Sequence, residues 1–286
     1  MPEFYSPWVV QVWKVGGYTA LPTMDGMNVS HDFALDNVRT NAQRDLPWFT
    51  GFNGKKAGCA IVGGGPSIKD SIPQIRYRKA RGDTIITLNN ALTYLVGKGI
   101  TPDAHVMLDA RPENAEFIKD APKGVRYFIA SQCHPDVFEV LKDHDVTVWH
   151  NGFGSGESMM EILAPWFDEG PKQRPVVLVP GGGTVGLRTM CLTWLSGYKR
   201  LHLYGFDSSY EEDNHHAYSQ ALNDTDNTMT VAFNDKHYKC APWMVRQANE
   251  FKDAYSRITA DGVNITVHGR GLIPDIYKQM KGKTNA

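Results

Sequence analysis

The chain has no surplus of either charge: 30 Lys and Arg face 31 Asp and Glu, a formal net charge of −1 with a pI near 6.8. Without a basic field nothing draws in a phosphate backbone, which argues against a nucleic-acid partner. Cysteine is scarce, with Cys59, Cys133, Cys191 and Cys240 in 286 residues and no CxxC or Cys/His pair at zinc spacing. A chain of this length builds its core without staples, so a small disulfide scaffold is excluded. Cys59, Cys133 and Cys191 sit in apolar runs and are expected as unpaired buried hydrophobes of a reducing compartment. No apolar run approaches the roughly 18 residues of a bilayer span. The opening MPEFYSPWVVQVWKVGG has neither a basic start nor a small-residue cleavage site. The expected location is the cytoplasm, without a membrane span. Low-complexity tracts and long linkers are missing too.

What is present is a rhythm of strand, turn and helix. Short β-branched runs at 59–63, 84–88, 104–108, 126–130, 146–149, 176–179, 200–204 and 263–267 alternate with amphipathic stretches. That alternation predicts an α/β protein, a mostly parallel, doubly wound sheet covered on both faces. The clearest helices are 68–80, 90–98, 135–143, 184–196 and 243–260, the last opening after Pro242 and closing before Gly262. Two alternating runs around Asn234 and Asp235 predict a β-hairpin within an insertion at about 208–241, overhanging the carboxyl edge of the sheet. Residues 1–57 read as an N-terminal extension packed on the main domain, 58–280. The extension has an aromatic stretch at 4–13 and an amphipathic helix from about Ser30 to Arg44, with Phe33, Leu35, Val38 and Ala42 on one side.

Two glycine-rich turns carry the chemistry. In the first, CAIVGGGPSIKD, the glycines Gly63, Gly64 and Gly65 follow a buried strand, and Pro66 presets a helix that begins near Ser67. Free amides at a helix start, with the positive dipole end behind them, make a phosphate cradle. Ser67 with Asp70 also fits a capping box, which needs no ligand. A dinucleotide fingerprint fails, because Ile68 stands where a glycine is needed and Asn89 and Asn90 replace the ribose-binding acid. The second turn, VVLVPGGGTVGLR, supplies Gly181, Gly182, Gly183 and Thr184. Leu187 and Arg188 occupy the Lys-Ser/Thr positions of a Walker loop, which excludes a P-loop NTPase. Its plain alternative is a tight turn with close packing at Gly186. Together the two turns suggest walls of one crevice where strand order reverses.

Other polar residues follow strand ends: Asn89 and Asn90, then Asp109 and Arg111, then Asp207. Ligands of open α/β sheets sit there, although Asp109 or Asp207 could equally cap the next helix. His215 and His216, beside Glu212, Asp213 and Tyr218, put groups that titrate near neutrality on a loop over the crevice, as a general base requires. No third ligand follows at metal spacing, and no metal site is expected. GFGSG around Ser155 is not a nucleophile elbow, because Phe153 stands where its first glycine belongs.

VGGGPSIKD, LNNAL, GITPDAHVMLD, PGGGTVGLR, LYGFDSSY with NHHAY, and GVNITVHGRGLIPDI together resemble the MptE-like family over roughly 35–277. That family is named for archaeal 6-hydroxymethyl-dihydropterin diphosphokinase and includes domains of motility-associated flagellin glycosylation factors. The resemblance implies a Rossmann-like fold shared with bacterial CMP-sialic acid sialyltransferases. It also implies roles by position: a phosphate loop at Gly64, Gly65, Pro66 and Ser67, a polar contact at Asn89 or Asn90, Gly205 with Asp207, and a base at His215 or His216.

The activity expected from this resemblance is transfer from a nucleotide-activated sugar of the CMP-sugar type, with a small-molecule nucleotide or nucleotide-sugar as partner. Diphosphate transfer from ATP to a pterin-like hydroxymethyl acceptor is the alternative, and magnesium belongs to it alone. The chain departs from the diphosphokinases by having Leu88-Asn89-Asn90-Ala91 and Leu108-Asp109-Ala110, where only one acid remains. A nucleotide-binding module without turnover is the third alternative. Oligomeric state is left open, a homo-oligomer included.

Overall fold

A computed structural model describes residues 29–51, 58–152, 157–166, 176–220 and 226–284. The aromatic stretch 4–13 and most of the GFGSG segment lie outside the described residues. Two compact units divide the chain: Met1–Phe52 with His105–Pro180, and Asn53–Ala104 with Gly181–Ala286.

In chain order the elements are α1 (His31–Ala42), β1 (Gly58–Val62), α2 (Ile68–Ala80), β2 (Thr84–Leu88), α3 (Ala91–Gly97) and β3 (Ala104–Met107). There follow β4 (Arg126–Ala130), α4 (Pro135–Val140), β5 (Asp145–Asn151), α5 (Glu157–Leu163), β6 (Leu178–Val179) and α6 (Val185–Leu195). The chain ends with β7 (Arg200–Tyr204), β8 (Met229–Phe233), β9 (Lys236–Cys240), α7 (Pro242–Ala260), β10 (Asn264–Val267) and α8 (Leu272–Thr284). The fold is α/β and Rossmann-like, with, among the described residues, eight strands in mostly parallel sheet and one separate antiparallel hairpin, β8–β9. Among the described residues no helix is long and apolar enough to cross a membrane.

The second unit carries the strand order β10-β7-β1-β2, with every pairing parallel. Every residue of β1 is buried, as expected of a central strand covered on both faces. From β1 the chain moves to β2 on one side, and it returns later as β7 on the other. Strand order therefore reverses between β1 and β7, the switch point where such sheets open a crevice at their carboxyl ends. Helix α7 shows why its sequence is helical. Met244, Ala248, Phe251, Ala254 and Ile258 recur every three or four residues and are buried, Pro242 stands at the first turn, and Gly262 follows the end at φ +76°. The hairpin turns at Asn234, whose φ of +52° suits a two-residue loop.

The first unit is built on β4 between β3 and β5, with β6 beyond β5. Helix α1 ties into it through buried amides: Asn37 donates to the carbonyls of Ala110 and Gln132, and Asn41 to those of Ser131 and Cys133. Most boundaries differ from expectation by a few residues at most, and two of the shifts are these. Helix α4 stops at Val140 rather than 143, because the chain leaves helical geometry at Leu141 and turns through His144 into β5. Strand pairing at 176–179 is confined to Leu178 and Val179. All four cysteines are buried.

Candidate functional site

The first glycine turn meets the loop after β7 at the switch point. Parallel pairing of β1 with β7 continues past the strands: Gly63 N–H donates to Tyr204 O at 2.8 Å, and Gly65 N–H to Gly205 O at 3.0 Å. A Cβ on Gly63 would stand 2.8 Å from Gly205 O, and one on Gly65 would stand 2.7 Å from the same oxygen and from the Asp207 carboxyl carbon. Gly205 itself sits at φ +65° with Gly63 O against it. Close approach of two backbones is what these glycines permit.

Asp207 is buried beneath the turn, and its carboxylate accepts the Ser67 backbone N–H and the Ser67 hydroxyl, each at 2.6 Å. This corrects the capping-box expectation. Ser67 has helical geometry and makes no side-chain cap, while Asp70 pairs with Arg270. Asp207 thus caps α2 from the loop after β7, and the amides from Gly65 to Asp70, expected to be free, are engaged within the chain. Those of Ile68, Lys69 and Asp70 are spent on the tight first turn, and that of Ser67 on Asp207. Burial pushes the Asp207 carboxyl up to about 6, against the opposing pull of its bonds to Ser67.

The loop following β7 returns over the glycines. Ala217 N–H donates to Gly64 O at 2.9 Å, and a Cβ on Gly64 would fall against the Tyr218 hydroxyl and 2.6 Å from a ring carbon of His216. His216 and Tyr218 therefore roof Gly64. The half-buried His216 ring has an enclosed Nδ1 with no hydrogen-bond partner, and it lies 4.3 Å from the His215 ring, edge to face. Burial, with His215 adding to it, lowers His216 to about 3, so its imidazole is neutral. Burial also raises the Tyr218 phenol. Tyr94 on α3 lies 5.6 Å from Tyr218, ring to ring. The hairpin braces this loop: Tyr210 N–H donates to Lys239 O, and Lys239 pairs with Asp213 at 2.8 Å.

Asn89 and Asn90 follow β2 in the same unit. Asn89 holds a φ of +44°, and its buried side-chain oxygen has no partner. Asn90 occupies the N-cap of α3 without capping through its side chain. Asp109 lies in the first unit, where its carboxylate binds the backbone N–H and the guanidinium of Arg111.

The second turn is also in the unit of the first. Gly181 and Gly182 adopt φ values of +113° and +61°, and Thr184 caps α6 by accepting from Leu187 N–H. Gly186 packs on Phe206, where a Cβ would come within 2.8 Å of the ring. Phe206 sits between Gly205 and Asp207, so both turns abut one three-residue segment. An internal carboxylate is engaged here too, since Glu250 of α7 accepts from Gly183 N–H at 2.9 Å. Half-buried Arg188 donates to Gly182 O at 2.7 Å. Sequence reasoning missed Glu250, Arg270, Glu211 and Tyr94. Only GVNITVHGRGLIPDI, already notable among the motifs, offered a signal, and only for Arg270.

Among the described residues no three His, Cys, Asp or Glu side chains gather as metal ligands. Magnesium at the first turn would have to draw on Asp70, Asp207 and Glu211. Arg270 engages the first and third, and Ser67 the second. That donor set, already bound to Arg270 and Ser67, does not fit the ion.

Among known proteins, the chain's fold is similar to that of the MAf glycosyltransferase from Magnetospirillum magneticum AMB-1, with a TM-score of 0.58 and 18% identity over 86% of this chain. The match spans 39% of that protein's length. Crystal structures of a mammalian sialyltransferase align over 94% of this chain and 96% of that one, at 13% identity and TM-scores of 0.42 and 0.40. No curated protein matches the sequence. Residues 33–213 match the family model described as "6-hydroxymethylpterin diphosphokinase MptE-like", which is more than half the chain. The chain belongs to the MptE-like family.

Proposed function

We propose that the chain is a nucleotide-dependent transferase, a glycosyltransferase-like enzyme that takes a nucleotide-activated sugar of the CMP-sugar type. The observation that carries this reading is His216, held directly over Gly64 at the switch point with an enclosed Nδ1 that has no hydrogen-bond partner. A phosphate seated at the glycine turn lies beside that imidazole, and its negative charge raises the ring's affinity for a proton from the low value that burial imposes. Nucleotide binding thereby turns His216 into a competent base. The acceptor hydroxyl gives its proton to the ring as its oxygen bonds to the anomeric carbon, and the bond from that carbon to phosphate oxygen breaks. The nucleotide leaves with the electron pair. Asp207 touches none of the reacting atoms and works by fixing Ser67 and the start of α2.

The test offers CMP-, UDP- and GDP-sugars to the protein and follows release of the free nucleotide, in chelator and in magnesium. Release of CMP in chelator is the expected result. Turnover only with ATP, magnesium and a hydroxymethylpterin, the activity its family is named for, would replace this reading with diphosphate transfer. Nucleotide binding without turnover would leave a binding module.

A further inference from the structure

The roof over Gly64 is held from a third place in the chain. After β10 the backbone runs through His268, Gly269, Arg270 and Gly271 into α8, with φ +95° and +122° at the two glycines. Neither glycine can carry a side chain. A Cβ on Gly269 would stand 2.9 Å from Ser67 Cβ, and one on Gly271 would stand 2.6 Å from the backbone oxygen of Asp207. The Arg270 backbone is therefore wedged against the Ser67–Asp207 pair. From there its guanidinium reaches two carboxylates on separate segments. Nε donates to Glu211 at 2.7 Å, a second nitrogen also reaches Glu211, and the third pairs with Asp70 at the start of α2. Glu211 opens the segment that carries His215, His216 and Tyr218, and it is bonded to Asn214 through both backbone groups.

We infer that Arg270 is the positioning residue for His216: it clamps Glu211 to Asp70, and so holds the roof segment down on the glycine turn. This rests on the transferase reading only for the consequence in turnover. The clamp itself is a matter of geometry. Each ion pair is solvent-exposed and weak alone. One planar guanidinium that serves both with its fork of donors is what lysine cannot reproduce. Released, the segment lets water reach the imidazole, and the desolvation that keeps it neutral is lost. The groups facing the ring are His215, Tyr218 and Gly64, none of them acidic.

The experiment titrates the His216 ring by NMR in the full chain, assigned through a His216→Gln spectrum, in wild type, Arg270→Gln, Arg270→Lys and the charge swap Arg270→Glu/Glu211→Arg. Far-UV circular dichroism and melting confirm that each variant is folded. In wild type the ring stays neutral through pH 5. In Arg270→Gln it is expected to titrate near the ordinary histidine value, with Arg270→Lys in between, and the swap is not expected to restore the wild type because it sets a glutamate against Asp70. An unchanged titration in a folded Arg270→Gln protein overturns the clamp. Should that variant fail to fold, Glu211→Gln cuts the same link from the other side and must give the same shift. With a CMP-sugar, the clamp predicts that Arg270→Gln lowers kcat about tenfold or more and moves KM little, because the base is misplaced while the phosphate loop is intact. If no nucleotide-sugar is turned over by the wild type, the transferase reading falls and the NMR result alone decides the clamp.

Discussion

The Asp207 carboxylate accepts two hydrogen bonds from Ser67, one from its backbone N–H and one from its hydroxyl, across 140 residues of sequence. The pair fastens the end of β7 to the start of α2, and it occupies the helix terminus with a carboxylate of the chain itself. Removing the acceptor leaves two buried donors unpaired. Asp207→Ala is therefore expected to cost about 2 to 4 kcal/mol, at about 1 to 2 for each donor. Asp207→Asn, whose amide can accept from the N–H and donate to the hydroxyl, should cost well under half of that. Denaturant midpoints of the two variants check this, and equal losses would show that the pair contributes no more than bulk.

The three glycines of the first turn separate by what lies over them. Gly63 and Gly65 face the rigid carbonyl of Gly205, so Gly65→Ala must move backbone and should destabilise by about 1 to 3 kcal/mol. Gly64 faces only the ends of two side chains, His216 and Tyr218. Gly64→Ala is expected to leave the melting temperature nearly unchanged while weakening nucleotide binding, because the methyl lifts the roof and blocks backbone approach. Calorimetric titration with CMP beside a thermal melt reads both effects. If Gly64→Ala keeps full affinity, the turn is packing and nothing more.

Much of this arrangement was legible in the sequence because its signals are local. Buried runs marked β1, β2 and β7, Pro242 and Gly262 bracketed α7, and Asn234 marked the hairpin. The glycines of the first turn stood out for the same reason: three in a row after a strand. What could not be read are partners joined only by the fold. Asp70 lies three residues after Ser67 and fits a capping box, yet it pairs with Arg270, 200 residues away. Glu250 sits in the middle of an amphipathic helix, where a carboxylate is unremarkable until α7 brings it to Gly183. Helical and strand periodicities describe faces, and they are silent on which face meets which turn.

Stability should depend on pH through groups of opposite sign. Burial raises Asp207 to about 6. Its contribution is therefore full below the unfolded carboxyl value near 4 and is lost as pH rises through 6. Burial lowers His216 to about 3, and lowers His202 and His268 to about 4, with Arg78 adding to the effect on the last two. These imidazoles contribute fully above the unfolded value near 6.5, and the contribution is lost as pH falls below it. The wild type is expected to melt progressively lower from pH 6.5 to 4, and Asp207→Asn more steeply still, because it lacks a group that gains on acidification. Parallel melting curves for the two proteins across that range would mean that Asp207 titrates as an ordinary carboxyl.

At the second turn Glu250 takes the Gly183 N–H, and its other oxygen is buried without a partner. Burial raises its carboxyl, so the charged form is under strain where it sits. Glu250→Gln keeps an acceptor for Gly183 and removes the buried charge. It should be neutral or stabilising, whereas Glu250→Ala should lose about 1 kcal/mol with the hydrogen bond. A chemical denaturation series that ranks Gln above wild type and Ala below would bear this out, and a loss in Gln as large as in Ala would contradict it.

The sharpest functional test is at His216. A general base acts mainly in the transition state, so His216→Ala should lower turnover of a nucleotide-sugar by roughly two to four orders of magnitude and leave nucleotide affinity within a few fold. His215, packed edge-on against it and deeper in the protein, should behave otherwise when replaced. Its loss removes the second influence that keeps the His216 proton affinity low, and it disturbs the ring's seat, so activity should fall less and the pH profile should shift. Neutral His216 also fixes the direction of the wild-type profile: kcat/KM, which reports the free enzyme, should show no loss from protonation of this ring above pH 5. Full-rate turnover by a folded His216→Ala protein would remove the base from its place over Gly64. A rate that collapses below pH 6.5 with an ordinary histidine titration would show that the imidazole is solvated before the nucleotide arrives.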